Sequence, residues 1–330
     1  MRSMPQGYHL KDSCAGERKT EITGSPGSGQ STPEYSSPEQ VGSGEQEIPQ
    51  ADLALIGGSG TFSLNFPEDL NLPGVQVLLR DLVVKTPFGP SPALKLFSLP
   101  TSPPRLVLTA KMHGRLPQVT WGNASRRLFW VFKKAGVKKI VAEGGVGSVN
   151  PLLDPLDLVI PADYLDFSLR RDISLGEDFL CIMRQPICPL LRRILAEAAK
   201  AWTCGRVFPR GTYVVTDGRH FESPAEVGMF RQWGGDVVGQ TLCPEVYLAR
   251  EIGACYAGIY VVVNYGEGVV KPWDYGVLQD IFFNQAVPVG HLLLRALTEI
   301  PAGDDSCGCS RLRKPTLLRQ ENIRGAAGTE

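Results

Sequence analysis

The sequence has no net charge. Its 34 Lys and Arg stand against 34 Asp and Glu, which removes the field by which binders of nucleic acid and membrane surfaces hold their partners. Small molecules are the expected partners instead. No run approaches the ~18 uninterrupted apolar residues of a membrane span, and the N-terminus lacks the charged-then-apolar order of a secretory leader. The expectation is an intracellular protein, placed in the cytoplasm with the nucleus as the alternative. Histidine is scarce, four residues in 330: His9, His113, His220 and His291.

Eight cysteines do not make a disulfide scaffold in a chain of this length. Cys181, Cys188, Cys204, Cys243 and Cys255 lie among apolar residues, as free core thiols do. Cys307-Gly-Cys309 differs, because it sits in a polar segment expected to be a flexible tail. A redox or metal role is the alternative, although a C-x-C pair needs further ligands to hold a metal. No metal site and no cofactor are expected, and no internal repeat is visible.

An apolar content of 43% is enough for a full core. Residues 1–50 are rich in Ser, Gly, Pro, Glu and Gln and contain no run of three apolar residues, which predicts a disordered extension. From residue 303 the composition turns polar again, and 303–330 reads as a tail that does not pack. Between them, 51–302 alternates short apolar runs with helical patterns, the mark of an α/β domain. The runs "ALIGG", "RLVLTA", "KKIVAEGG", "LDLVIPA", "GTYVVTDG", "DVVGQT" and "CYAGIYVVVN" predict strands. "ASRRLFWVFKKAG" predicts a helix closed by Gly136, and "PLLRRILAEAAKAW" places Leu190, Leu191, Ile194, Leu195 and Ala198 on one face. Ser223-Pro224-Ala225-Glu226 is a capping box with proline at the first helical position. The preceding "DGRHFES" therefore lies on a strand-to-helix loop, where α/β proteins place ligands.

In "LALIGGSGTF" an apolar strand runs into glycines with one serine among them. Glycine lets backbone N–H groups approach an anion, and a hydroxyl adds a donor, so a phosphate-like group fits there. A dinucleotide fingerprint fits less well: Ser63 stands at the sixth position of G-x-G-x-x-G and no helical pattern opens there. Polar residues follow at successive strand ends: His113 and Arg115 in "KMHGR", a second glycine turn in "AEGGVGS", Thr241 after "DVVGQ", and Asn264 ending "VVVN".

Together, "IGGSG", "TPFGPSPAL", "HGR", "GGVGSV", "MFRQWGGDVVGQTLCPEVYLAREIGACYA" and "VVVNY" resemble the trimeric purine nucleoside phosphorylase and methylthioadenosine phosphorylase family, in order, over roughly Leu53 to Pro301. The resemblance implies a single α/β domain with a mixed central β-sheet flanked by helices, a homotrimer, and transfer of a pentosyl group from a purine to inorganic phosphate without a cofactor. It also implies a phosphate site at Ser59, Met112, His113, Arg115, Gly144, Gly145 and Thr241. Met112 stands where the family carries arginine, which leaves Arg115 to supply that charge, and Gln240 replaces a methionine usual under the sugar.

For the base, the resemblance points to Phe221, Glu222 and Asn264, with Gln240, Tyr265, Gly266 and Val277 completing the substrate site. Asn264, Glu222 and His113 are the implied catalytic residues. A carboxylate at Glu222 accepts the N1–H of hypoxanthine or guanine but faces the bare lone pair of adenine N1, and an amide at Asn264 donates to O6 or N7. A 6-oxopurine is therefore expected. Val277 and Leu278 resemble the apolar side chains that receive a methylthio group. The alternatives are a methylthioadenosine phosphorylase and a nucleoside-binding homologue impaired in catalysis.

Overall fold

The computed structural model describes residues 47–317 except 171, 219, 304 and 305. The predicted 1–50 extension, apart from its last four residues, and the end of the predicted tail lie outside the described residues.

The main sheet is mixed. Its central path runs Val207–Phe208, Leu158–Val159, Cys255–Tyr265, Lys139–Ser148, Leu53–Ile56, Arg105–Ala110, Leu94–Leu99 and Gln76–Leu82. Leu53–Ile56 pairs in parallel with both Arg105–Ala110 and Lys139–Ser148, and Cys255–Tyr265 is parallel to Lys139–Ser148. The four strands thus send their C-terminal ends the same way. All four residues of Leu53–Ile56 and all eleven of Cys255–Tyr265 are buried, as expected of strands covered on both faces. The antiparallel Gln76–Leu82 and Leu94–Leu99 pair went unread in the sequence, the former because its residues are mostly exposed.

A branch of the sheet carries the rest of the site. Val237–Gly239 lies antiparallel to the end of Lys139–Ser148 and parallel to Thr212–Val215, which pairs with Asp163–Asp166. The predicted helices form: Trp121–Lys134 is capped by Thr120, Pro189–Ala199 starts on proline, and Pro224–Gln232 has both halves of its capping box. Gly136, at φ 76°, takes the left-handed conformation that closes the first of them. Among the described residues, no helix is long and apolar enough to cross a membrane.

The C-terminal segment corrects one expectation. Arg313–Pro315 pairs antiparallel with Phe179–Cys181, and Cys309 is buried. A polar stretch packs here because its backbone gains a ladder partner and its cysteines reach the core, neither of which composition records.

Candidate active site

A cavity of about 260 Å³ opens at the shared C-terminal ends of the central strands. Ser59, Met112, His113, Arg115, Gly144, Gly145 and Thr241 line it, with Phe221, Glu222, Gln240, Asn264, Tyr265 and Gly266. Of the residues expected at the site, only Val277 is off the wall. Its N–H donates to Asp274 Oδ1 in the first turn of Tyr275–Asn284, and Leu278 and Phe282 line the cavity instead.

The glycine turn after Leu53–Ile56 is built differently from the expectation. The N–H groups of Gly58, Gly60 and Thr61 and the Thr61 hydroxyl all donate to the carboxylate of Glu143, with Gly60 N at 3.0 Å and Thr61 Oγ1 at 2.6 Å. The anion held by these amides is the protein's own. Ser59 is left facing the cavity, accepting from Gly145 N at 2.8 Å, which leaves its hydroxyl hydrogen free to donate. The approach requires glycine, since a Cβ on Gly145 would meet Ser59 Oγ at 2.9 Å. Burial raises the Glu143 carboxyl from its ordinary value, against the hydrogen bonds from Thr61 and Gly58. Sequence reasoning missed Glu143; the available signal was an acidic residue inside an otherwise apolar strand.

His113 follows Arg105–Ala110 in a turn where Met112, His113 and Gly114 have φ of 49°, 54° and 69°, a left-handed run sterically costly for the two with side chains. Its Nδ1 lies 2.8 Å from Glu245 Oε1, and the other oxygen of Glu245 accepts from Tyr256. Burial by itself would lower the His113 pKa, but the Glu245 and Glu143 carboxylates outweigh it and the net shift is upward. The paired carboxylates thus favour the charged imidazole beside the cavity. Arg115 lines the same wall with its guanidinium 5.6 Å from the centre of the Trp121 ring, and no carboxylate among the described residues pairs with it. The chain thus keeps cations beside Met112.

Other residues of the lining carry groups suited to a heterocycle. Glu222 is buried, and Thr216 Oγ1 donates to its Oε1 at 2.6 Å, leaving the other oxygen to accept. Asn264 is aimed by a β-bulge: the register of Cys255–Tyr265 on Lys139–Ser148 shifts between Val262 and Asn264, setting Asn264 opposite Gly147. Its Nδ2 donates to the Tyr265 carbonyl at 2.8 Å, so one amide hydrogen and Oδ1 remain for the cavity. Phe221 meets Trp273 edge to face at 5.1 Å between ring centres, and both line the cavity. Trp273, Trp121 and Arg170 were not foreseen as site residues. Arg170 is buried and donates to the carbonyls of Gln240 (2.7 Å) and Thr216, tying the loops of Thr241 and Glu222 together.

Sequence reasoning expected free core thiols, Cys204 among them, and no group of metal ligands; the structure corrects both, since Cys204 is disulfide-bonded. Cys188, Cys255, Cys307 and Cys309 bring their sulfurs within 4.8 Å of one another.

Comparison with known proteins agrees with this geometry. Residues 53–299 match the model of the phosphorylase superfamily. The chain is 33% identical over 289 residues to the 6-oxopurine nucleoside phosphorylase of Pyrococcus furiosus, covering 84% of this chain and 99% of that one. It is 32% identical over 271 residues to the S-methyl-5'-thioadenosine phosphorylase of Pyrococcus horikoshii, covering 81% and 99%. Among solved structures it superposes on the methylthioadenosine phosphorylase of Schistosoma mansoni in complex with adenine, with a TM-score of 0.67 at 25% identity over 80% of this chain and 96% of that one.

Proposed function

The chain belongs to the phosphorylase superfamily, among its purine nucleoside and methylthioadenosine phosphorylases, and on that premise we propose that it cleaves a 6-oxopurine nucleoside with inorganic phosphate. A phosphate oxygen bonds to C1′ as the C1′–N9 bond breaks. The bonding pair passes to the purine, and the proton that hydrogen phosphate gives up on forming the sugar phosphate ester, carried through solvent, completes the free base. Ser59 and Thr241 offer hydroxyls to phosphate, Arg115 and the His113 imidazolium supply positive charge, and enclosure of the reactants replaces their search for one another.

The observation that carries the base preference is the free oxygen of buried Glu222, whose partner oxygen is occupied by Thr216. It accepts the N1–H of a 6-oxopurine, and Asn264 donates to O6 or N7 as charge gathers there. Adenine would place a lone pair against the carboxylate, with a cost of about 1–3 kcal/mol per unpaired buried group. At the sugar end, Leu278, Phe282 and Val263 make an apolar wall, which supports a methylthio substituent and keeps methylthioadenosine as the second reading.

The test is release of free base from inosine, guanosine, methylthioinosine and methylthioadenosine, each with phosphate. Release from the first three, or from methylthioinosine above inosine, is expected. Preference for methylthioadenosine would overturn the role of Glu222, and no release from any of the four by folded protein would leave a nucleoside-binding homologue. The resemblance also supports a homotrimer, and light scattering should return three times the 35.9 kDa chain mass.

A further inference from the structure

The segment around Cys307 packs although its composition is polar, and the side chains at its anchor are sulfur. Cys188 is the N-cap residue of Pro189–Ala199, Cys255 begins the strand Cys255–Tyr265, and Cys307 and Cys309 flank Gly308. Gly308 has a φ of 69°, the left-handed turn that glycine adopts without cost. Four sulfurs from three distant parts of the chain lie within 4.8 Å of one another, with Cys255 and Cys307 at 3.4 Å. Four thiolates tetrahedral about zinc at ~2.3 Å have sulfur separations of about 3.8 Å, so small side-chain movements suffice.

We propose that Cys188, Cys255, Cys307 and Cys309 form a structural zinc site that fastens the C-terminal segment to the domain.

The surroundings fit a thiolate site. Arg250, buried, donates to the Cys309 carbonyl at 2.9 Å and the Gln185 carbonyl at 2.6 Å. It thereby holds the two flanks of the site together, and its charge offsets one of the two net negative charges of a divalent ion with four thiolates. An all-cysteine set favours zinc over the hard cations and leaves no open position for catalysis. The site is also remote from the cavity: Asn264 lies nine residues along the strand from Cys255, roughly 30 Å at strand rise. Binding converts four thiols to thiolates and releases their protons, so affinity falls with acid.

The experiment uses the full chain, purified under reducing conditions with zinc in the medium, and measures zinc and iron by mass spectrometry alongside thiol titration. One zinc per chain is expected, falling to trace in the Cys307→Ser/Cys309→Ser variant. Cobalt(II) substituted into the unaltered chain should give the visible bands of tetrahedral thiolate coordination, a readout that requires no variant to fold. Removing the metal should lower Tm with the cavity residues unchanged. Absence of metal from a chain with titratable thiols, iron in place of zinc, or full zinc retained by the double variant would each overturn the proposal.

Discussion

The ring of His113 and the carboxylate of Glu245 form a buried pair, Nδ1 to Oε1 at 2.8 Å, across 132 residues of chain. This pair joins the loop carrying Met112 and Arg115 to the helix Leu242–Glu251, whose N-cap is Thr241. Two parts of the cavity wall are therefore held in register by one contact.

Its pH dependence follows from the sign of the shift. The His113 pKa is raised in the folded protein, so its contribution to stability is fully present below the ordinary value of about 6.5 and is lost as pH rises through the higher folded value. The stability lost in His113→Gln should be about 3–5 kcal/mol below pH 6.5, since Glu245 is left buried without its partner, and should shrink toward alkaline pH. Urea unfolding of both proteins across that range checks this; a difference that grows with pH would contradict it. Adding Glu245→Gln should recover part of the loss.

Base reading is tested at Glu222 and Asn264. Glu222→Gln should lower kcat/KM for inosine by about 5–150-fold, the equivalent of one unpaired buried group at ~1–3 kcal/mol. Asn264→Asp replaces the donating amide by an acceptor suited to a 6-amino group, so the ratio of adenosine to inosine turnover should rise. Parallel kinetics on the two nucleosides decide the matter, and equal losses on both would remove the specificity role.

Charge compensation is tested at Arg115. Arg115→Ala should raise KM for phosphate by about 10–150-fold, the range for a charge-assisted hydrogen bond of ~1.5–3 kcal/mol. Met112→Arg in that background should restore most of it, because both side chains line the same cavity. Phosphate titrations at saturating nucleoside would show this. An unchanged KM in Arg115→Ala would assign Arg115 to its stacking on Trp121 alone.

Much of the fold was legible locally. The apolar runs, the capping box at Ser223–Glu226 and the glycine closing the Trp121–Lys134 helix are set by residues within a turn of one another, where steric and hydrogen-bond rules act directly. Strand-end polar residues were legible as a set, since parallel strands must deliver their C-terminal loops to one edge. The sequence could show "GGSG" as an anion-holding turn. It could not show that the anion is Glu143, more than 80 residues on, nor that Val277 and Leu278 differ in facing the cavity.

By itself, then, the sequence determined the α/β alternation, the position of the loops that line the cavity and the residue types available there, because each depends on near neighbours in the chain. Tertiary structure alone decided which partners those residues meet. Glu143 occupies the turn amides, a bulge aims Asn264 across Gly147, and four cysteines from three distant segments converge. Each outcome depends on how strands register and helices pack across the whole domain, and no local rule along the chain specifies that.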